Sequence, residues 1–189
     1  MDSNDPHEVI LAFLTAPERV TAQTNGPGGW VASTGEGGLD ASPESVVFVK
    51  ERHLSNRAAY NVRFTDQHGM RRRFTVSLAQ TTDGTWQVMG GSGGSAEDQP
   101  EGAPGRGHPW ANLGGGGWPR QFYAGGAIEE DSGAVTRVRL WSANGVEMED
   151  TVEGGEVLFL SDDAIQTPLE IELYDGAGNL VGSHTAFSF

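Results

Sequence analysis

Residues 90–117 read GGSGGSAEDQPEGAPGRGHPWANLGGGG, and this stretch divides the chain into two parts. Glycine, proline and small polar residues dominate it, so it offers too few apolar side chains to bury a core. Its flanks are longer and richer in apolar residues, which favours two small modules within the 189 residues. We predict an N-terminal module over residues 1–89, a Gly/Pro-rich linker over 90–107 and a C-terminal module over 108–189.

The N-terminal module has the pattern of one helix followed by antiparallel strands. Asn4 or Asp5 can cap a helix that has Pro6 at its first position, and apolar residues recur at helical spacing to about residue 19. Short apolar or alternating runs predict strands over residues 45–50, 59–65, 70–78 and 85–89. The expected fold is a small α+β module in which the helix packs on one face of an antiparallel sheet.

The C-terminal module has short apolar runs at regular spacing. Asn144-Gly145 joins two of them, and Asn-Gly is a strong hairpin signal because both turn residues tolerate positive φ. The predicted strands cover residues 135–141, 146–152, 157–160, 169–173 and 180–184. This pattern is typical of a small antiparallel β-sandwich, with an aromatic lead-in from residue 108. The whole chain is therefore predicted to be mostly β.

Two family resemblances accompany these patterns. VTRVRL at 135–140, ANG at 143–145 and IELYDGAGNLV at 171–181 resemble the small immunoglobulin-like β-modules of uncharacterised bacterial proteins. That resemblance implies an interaction or support role. The order of elements in residues 1–89 resembles the last part of the cone-shaped fold of the nuclear-transport-factor and ketosteroid-isomerase superfamily. That resemblance implies a cone that binds a small molecule or acts as an enzyme, and no active-site residue is carried over from it.

Charge is distributed unevenly along the chain. Its net charge is −14, and residues 121–189 contain thirteen acidic and two basic residues, whereas residues 1–89 contain ten and eight. An acidic excess of this size repels nucleic acid and anionic membranes, so neither is predicted as a partner. The chain has no cysteine, and its start lacks the basic residues and long apolar run of a signal peptide. We expect a cytoplasmic protein.

A cluster of basic residues is the strongest candidate site, because seven of the twelve lie between Lys50 and Arg73. Strand alternation predicts that Arg63, Arg71 and Arg73 share the sheet face opposite the apolar side chains and are neighbours across a hairpin. One interpretation is a docking site for an anion or a partner, since guanidinium groups bind phosphate and carboxylate. The alternative is a solvated face paired with Asp66 and Glu51 or with the acidic second module.

Large aromatic residues form two further candidate groups. The residues that line a pocket, if the N-terminal module is a cone, are Trp30, Tyr60 and Trp86. The residues that close the glycine-rich stretch are Trp110, Trp118, Phe122 and Tyr123. A mobile linker has no use for rings of this size, so this second group either packs between the modules or anchors a protein partner.

Catalytic, cofactor and metal motifs are not found in the sequence. Residues 90–94 match Gly-x-Ser-x-Gly in letters, but no strand-turn-helix pattern surrounds them. The turn at 175–179 has Ala186 where a calcium loop needs an acid, and the five histidines lack metal-site spacing. We therefore predict no catalytic residue, metal or cofactor. The leading hypothesis is a non-enzymatic interaction or accessory protein with a protein partner; the alternatives are the ligand-binding or enzymatic cone and a structural subunit of a larger assembly.

Overall fold

The computed structural model describes residues 3–16, 39–95, 108–117, 120–130 and 134–188. The chain forms two compact units, Met1–Asp98 and Gln99–Phe189. Both units consist mainly of antiparallel strands, which confirms the prediction of a mostly β protein. No helix within the described ranges is long and apolar enough to cross a bilayer.

The first unit begins with helix α1 (Pro6–Thr15), whose start is the predicted one. The Asp5 side chain accepts a hydrogen bond from the His7 N–H at 2.9 Å, and Pro6 takes the first helical position. The helix was predicted to reach about residue 19, but Ala16 already has extended backbone angles. Ala16 precedes Pro17, and a residue before proline is disfavoured in the helical region.

Four strands follow α1 and form one antiparallel sheet in chain order. They are β1 (Val47–Leu54), β2 (Arg57–Thr65), β3 (Arg71–Gln80) and β4 (Trp86–Ser95), preceded by a short 3₁₀ helix, Pro43–Ser45. Ile10 and Leu14 of α1 share a buried core with Tyr60, Val62 and Leu78 of the sheet. The helix therefore covers one sheet face, as predicted.

Strand β4 corrects the predicted start of the linker. The strand continues to Ser95, so the linker does not begin at residue 90. Gly91 and Gly93 pair with Val76 and Phe74, and a Cβ atom at either glycine would collide with the Phe74 ring. Glycine occupies these positions because the Phe74 ring and, at Gly93, the carbonyl oxygen of Arg73 leave no space for a Cβ atom. Residues 96–107 lie outside the described residues.

The second unit is a two-sheet sandwich. Its strands are β5 (Trp110–Gly116), β6 (Tyr123–Glu129), β7 (Val135–Ser142), β8 (Glu147–Thr151), β9 (Glu156–Leu160), β10 (Leu169–Asp175) and β11 (Leu180–Phe187). One sheet has the order β5-β6-β9 and the other β11-β10-β7-β8. Phe159 from the first sheet and Leu140 and Ile171 from the second belong to the same core. The predicted sandwich is confirmed.

Strands β5 and β6 were not among the predicted strands. Gly114 pairs with Gly125, and Gly115 pairs with Ala124. A Cβ atom at Gly115 would collide with the carbonyl oxygen of Tyr123, so the backbones approach too closely for a side chain. Glycine replaces the apolar alternation that marks the other strands, and a search for alternation misses both.

Four hairpins use the same three-residue loop. The N–H of the residue before the loop donates to the carbonyl of the residue after it, and the last loop residue is a glycine with φ between 79° and 89°. The residues before the loops are Asp66, Thr81, Ser142 and Asp175, and the glycines are Gly69, Gly84, Gly145 and Gly178. This is the common three-residue hairpin loop, in which a turn is followed by a residue in the left-handed region. At Asn144-Gly145 only the glycine has positive φ, so the expectation for Asn144 was wrong.

Candidate interaction surfaces

The face of the first sheet opposite α1 gathers six basic side chains. Register and strand alternation place them together. They are Lys50, Arg52, Arg57, Arg63, Arg71 and Arg73, and we call them the cationic face.

The three predicted arginines lie at one end of this face. Arg63 is directly opposite Arg73, and Arg71 is opposite Thr65, next to the β2–β3 loop. Arg71 is exposed, and Arg63 and Arg73 are partly exposed. The register thus brings the three residues together as alternation predicts, at the accessible end of the face.

Small polar residues lie between the cations. The Thr75 hydroxyl donates to Asn61 Oδ1 at 2.8 Å, and both residues are buried. Lys50 and Arg57 keep only 8% and 5% of their surface exposed. The sheet is therefore polar and buried on this face, but apolar and buried on the face that contacts α1.

The carboxylates of the same stretch of chain lie elsewhere. Residues 47–95 contain only three acidic residues. Glu51 lies opposite Tyr60 on the α1 side and pairs with His7 at 3.3 Å. Asp83 accepts from Thr85 within the β3–β4 loop, and Asp66 pairs with Arg72. Of the predicted cluster, Arg72 thus pairs with Asp66, whereas Glu51 pairs with His7 on the opposite side of the sheet from the cationic face.

Asp66 fixes the hairpin that carries Arg71 and Arg73. Its carboxylate accepts from Arg72 Nε at 2.8 Å and from the N–H groups of His68 and Met70, each at 2.9 Å. Burial alone raises the pKa of Asp66, but the Arg72 and backbone hydrogen bonds outweigh burial and hold the pKa below its usual value. These contacts fix the β2–β3 loop on the Asp66 carboxylate.

Tyr60 and Trp86, two of the predicted pocket residues, are core residues beneath α1. Tyr60 is 1% exposed, and its hydroxyl lies 3.1 Å from His53 Nε2. Burial raises the pKa of Tyr60, and the nearby negative charges add to that effect. The His53 ring meets the Trp86 ring edge-on at 6.2 Å. Trp30 lies outside the described residues.

The sequence does not reveal that two histidines meet at Tyr60. His7 on α1 and His53 on β1 place their rings 5.3 and 5.7 Å from the Tyr60 ring. His7 also stacks on Phe48 at 4.2 Å. Since these residues come from separate elements, only the register of β1 with β2 could have indicated the cluster. The contacts hold α1 against the sheet.

The second aromatic group belongs largely to the sandwich itself. Trp110 stacks on His184 with ring centroids 3.5 Å apart, which links β5 of one sheet to β11 of the other. Phe122 is fully buried in the core, and Tyr123 is 7% exposed, with burial raising its pKa to about 12. Of the two alternatives for this group, the burial of Phe122 and Tyr123 favours packing within a module over anchoring a partner. Trp118 lies outside the described residues.

The outward face of the sheet β11-β10-β7-β8 is a second polar surface, which sequence reasoning missed. Alternation turns Val138, Leu140 and Leu173 into the core and the residues between them outward. We call the outward set the paired face; it consists of Arg137, Arg139, Trp141, Glu147, Glu149, Glu170, Glu172 and Tyr174.

Two ion-pair contacts converge on Glu149. Arg137 Nη1 and Arg139 Nε lie 3.0 and 2.9 Å from its Oε2 atom, and Arg139 Nε is also 3.1 Å from Glu147. The Arg137 guanidinium lies over the Tyr174 ring at 4.5 Å. The hydrogen bond from Arg139 is the main cause that lowers the pKa of Glu149.

Glu172 connects the two aromatic residues of the paired face. It accepts from the Tyr174 hydroxyl at 2.6 Å and from Trp141 Nε1 at 3.1 Å. The Tyr174 hydrogen bond lowers the pKa of Glu172 and raises the pKa of Tyr174. Charged and aromatic groups on this face therefore satisfy one another.

No group of three or more histidine, aspartate and glutamate side chains within the described ranges is arranged to hold a metal ion. No family model, curated protein or solved structure matches this chain. Function is therefore inferred from the two faces.

Proposed function

We propose that this protein is a non-enzymatic binding protein that recognises an acidic protein partner through the cationic face. The observation that carries the proposal is that six of the chain's twelve basic residues share one face of the sheet β1–β4. Like charges directly opposite each other destabilise a sheet, and Arg63 and Arg73 are such a pair. Carboxylates of a bound partner bring opposite charge to this pair.

The docking end consists of Arg63, Arg71 and Arg73. Guanidinium groups bind carboxylates with two parallel hydrogen bonds, which gives direction as well as attraction. The Asp66–Arg72 contact fixes the β2–β3 hairpin on the other side of the sheet. A fixed hairpin reduces the conformational entropy lost on binding.

A protein partner fits this face better than nucleic acid. The β1–β3 residues on the cationic side include no aromatic ring, so the face offers no platform on which bases stack. Residues 1–89 also have a net charge of −2, whereas a nucleic-acid-binding domain is strongly basic.

The sandwich supports a role in interaction. Lettered A to G in chain order, its strands divide into sheets ABE and DCFG. The constant-type immunoglobulin arrangement is ABED and CFG, so one strand has changed sheets. We therefore retain the relation to immunoglobulin-like modules of bacterial proteins as part of the proposal, in a cytoplasmic setting.

The test is a titration of a labelled oligoglutamate peptide with the full chain at low salt, in which fluorescence anisotropy measures binding. The triple variant Arg63→Gln, Arg71→Gln, Arg73→Gln is expected to bind about tenfold more weakly, since three partly exposed ion pairs contribute roughly 0.5 kcal/mol each. Arg120→Gln, an exposed arginine of the second unit, is the control and is expected to leave the affinity unchanged.

Three results contradict the proposal. They are no binding by the parent chain, an equal loss in the Arg120 variant, and tighter binding of a single-stranded oligonucleotide than of the peptide. Circular dichroism of the triple variant checks that the sheet is intact.

A further inference from the structure

We propose that the paired face of the sandwich binds a lysine- and arginine-rich segment of a partner protein. This second surface has the opposite chemistry to the cationic face and lies in the other unit. The inference does not depend on the proposed function of the first unit.

The residue types on the paired face are those that dominate protein interfaces. Trp, Tyr and Arg are the commonest hot-spot residues, and Arg139, Trp141 and Tyr174 lie on adjacent strands. All three are partly exposed. The ion pairs and the Glu172 hydrogen bonds already fix these side chains. Little rotamer entropy remains to be lost when a partner binds.

Charge selects a cationic occupant. The face carries four glutamates against two arginines, and those arginines are the only basic residues in residues 121–189, beside thirteen acidic ones. Glu147 and Glu149 have side chains 38% and 43% exposed, and Glu170 is also exposed. A basic segment is drawn to this unit at long range and meets accessible carboxylates on arrival.

The face itself displays the contact that a partner's arginine can make. The Arg137 guanidinium lies 4.5 Å above the Tyr174 ring while it pairs with Glu149 at 3.0 Å. The Arg139 guanidinium lies 5.8 Å from the Trp141 ring. Aromatic rings beside carboxylates are a recognised setting for cations. Glu147 and Glu170 flank Trp141 on the two neighbouring strands, so they extend the same setting on both sides of its ring.

The test is titration of the full chain with a labelled oligoarginine peptide. Glu147→Gln with Glu170→Gln is expected to weaken binding roughly three- to tenfold, because two exposed ion pairs are lost. The matched control is Asp162→Asn with Asp163→Asn, which removes the same charge from two exposed residues of the same unit. The control is expected to stay within about twofold of the parent chain.

If both double variants weaken peptide binding equally, the peptide is attracted by net charge alone and the proposal is overturned. The proposal is also overturned if Glu147→Gln with Glu170→Gln leaves the affinity unchanged.

Sedimentation of the chain without peptide tests whether a second copy of the chain occupies the paired face instead. Self-association that disappears in the Arg63, Arg71 and Arg73 triple variant would overturn the assignment to a separate partner. Failure of oligoglutamate binding leaves these outcomes unaffected, so the two proposals can fail separately.

Discussion

The two four-stranded sheets within the described residues differ in which charges lie opposite each other across neighbouring strands. On the cationic face, Arg63 lies directly opposite Arg73, so two residues of like charge face each other in register. On the paired face, Arg139 is opposite Glu149, and both pair in register. Opposite charges paired in register add stability to a sheet, whereas like charges in register do not. Substitutions on the two faces should therefore have different readouts.

The largest expected effect is on the stability of the paired face. Trp141→Ala is expected to lower the free energy of unfolding of the second unit by roughly 2 kcal/mol, because apolar contact is lost and Glu172 loses a donor. Chemical denaturation measures the change. Leu180→Ala on the same sheet is the control, since that side chain is 55% exposed. Similar small effects of both variants would mean that the paired face does not contribute to the fold.

A smaller effect is expected from the buried polar residues of the cationic face. Asn61→Ala and Thr75→Val each break the buried 2.8 Å hydrogen bond, so a double-mutant cycle is expected to show a coupling of about 1 kcal/mol. Thr75→Ser, which keeps the hydroxyl, is the control for that bond. Additive losses would show that the two residues act independently. Oligoglutamate affinity is expected to change little in these variants, because neither residue is charged.

The smallest effect is a pH dependence of the paired face. The lowered pKa values of Glu149 and Glu172 mean that their contribution to stability is complete above about pH 4.3, the unfolded value. It is lost as the pH falls through the folded values. Arginines do not titrate in this range. Glu172→Gln is expected to make the stability of the second unit fall less steeply with decreasing pH. An unchanged dependence of stability on pH would show that the Glu172 carboxylate does not stabilise the folded unit.

The same variant has an alkaline readout. The Glu172 hydrogen bond is the main cause that raises the pKa of Tyr174, so Glu172→Gln is expected to lower that pKa toward about 10. Ultraviolet absorbance of tyrosinate measures it. Tyr60 and Tyr123 are internal controls, because burial is the main cause that raises their pKa values. A shift of all three would indicate general loosening instead.

Local patterns were sufficient for part of this fold. Strands β2, β3, β7 and β10 alternate apolar and polar residues, and the sequence predicts each to within a few positions. Arg63, Arg71 and Arg73 follow from alternation across one hairpin. Strands β5 and β6 and the end of β4 were missed because glycine removes the alternation.

The paired face was missed for a different reason. Its network depends on β10 lying beside β7, which puts Tyr174 opposite Arg137 and Glu172 opposite Arg139. Those residues are more than thirty positions apart in the chain, and no local pattern specifies their register. Each residue taken alone is typical of a solvated strand face.

The Phe74 ring lies against Gly91 and Gly93 in the space that a Cβ atom at either position would need. A larger residue at 91 needs a smaller residue at 74, whereas at 93 the carbonyl oxygen of Arg73 also excludes a Cβ atom, so positions 74 and 91 are expected to change together between species. A homologous chain with a smaller residue at 74 is then expected to keep strand β4 with fewer glycines, because the side chains of β3 and β4 fill the same space. A sequence search that masks this glycine run as low complexity would therefore mask part of strand β4.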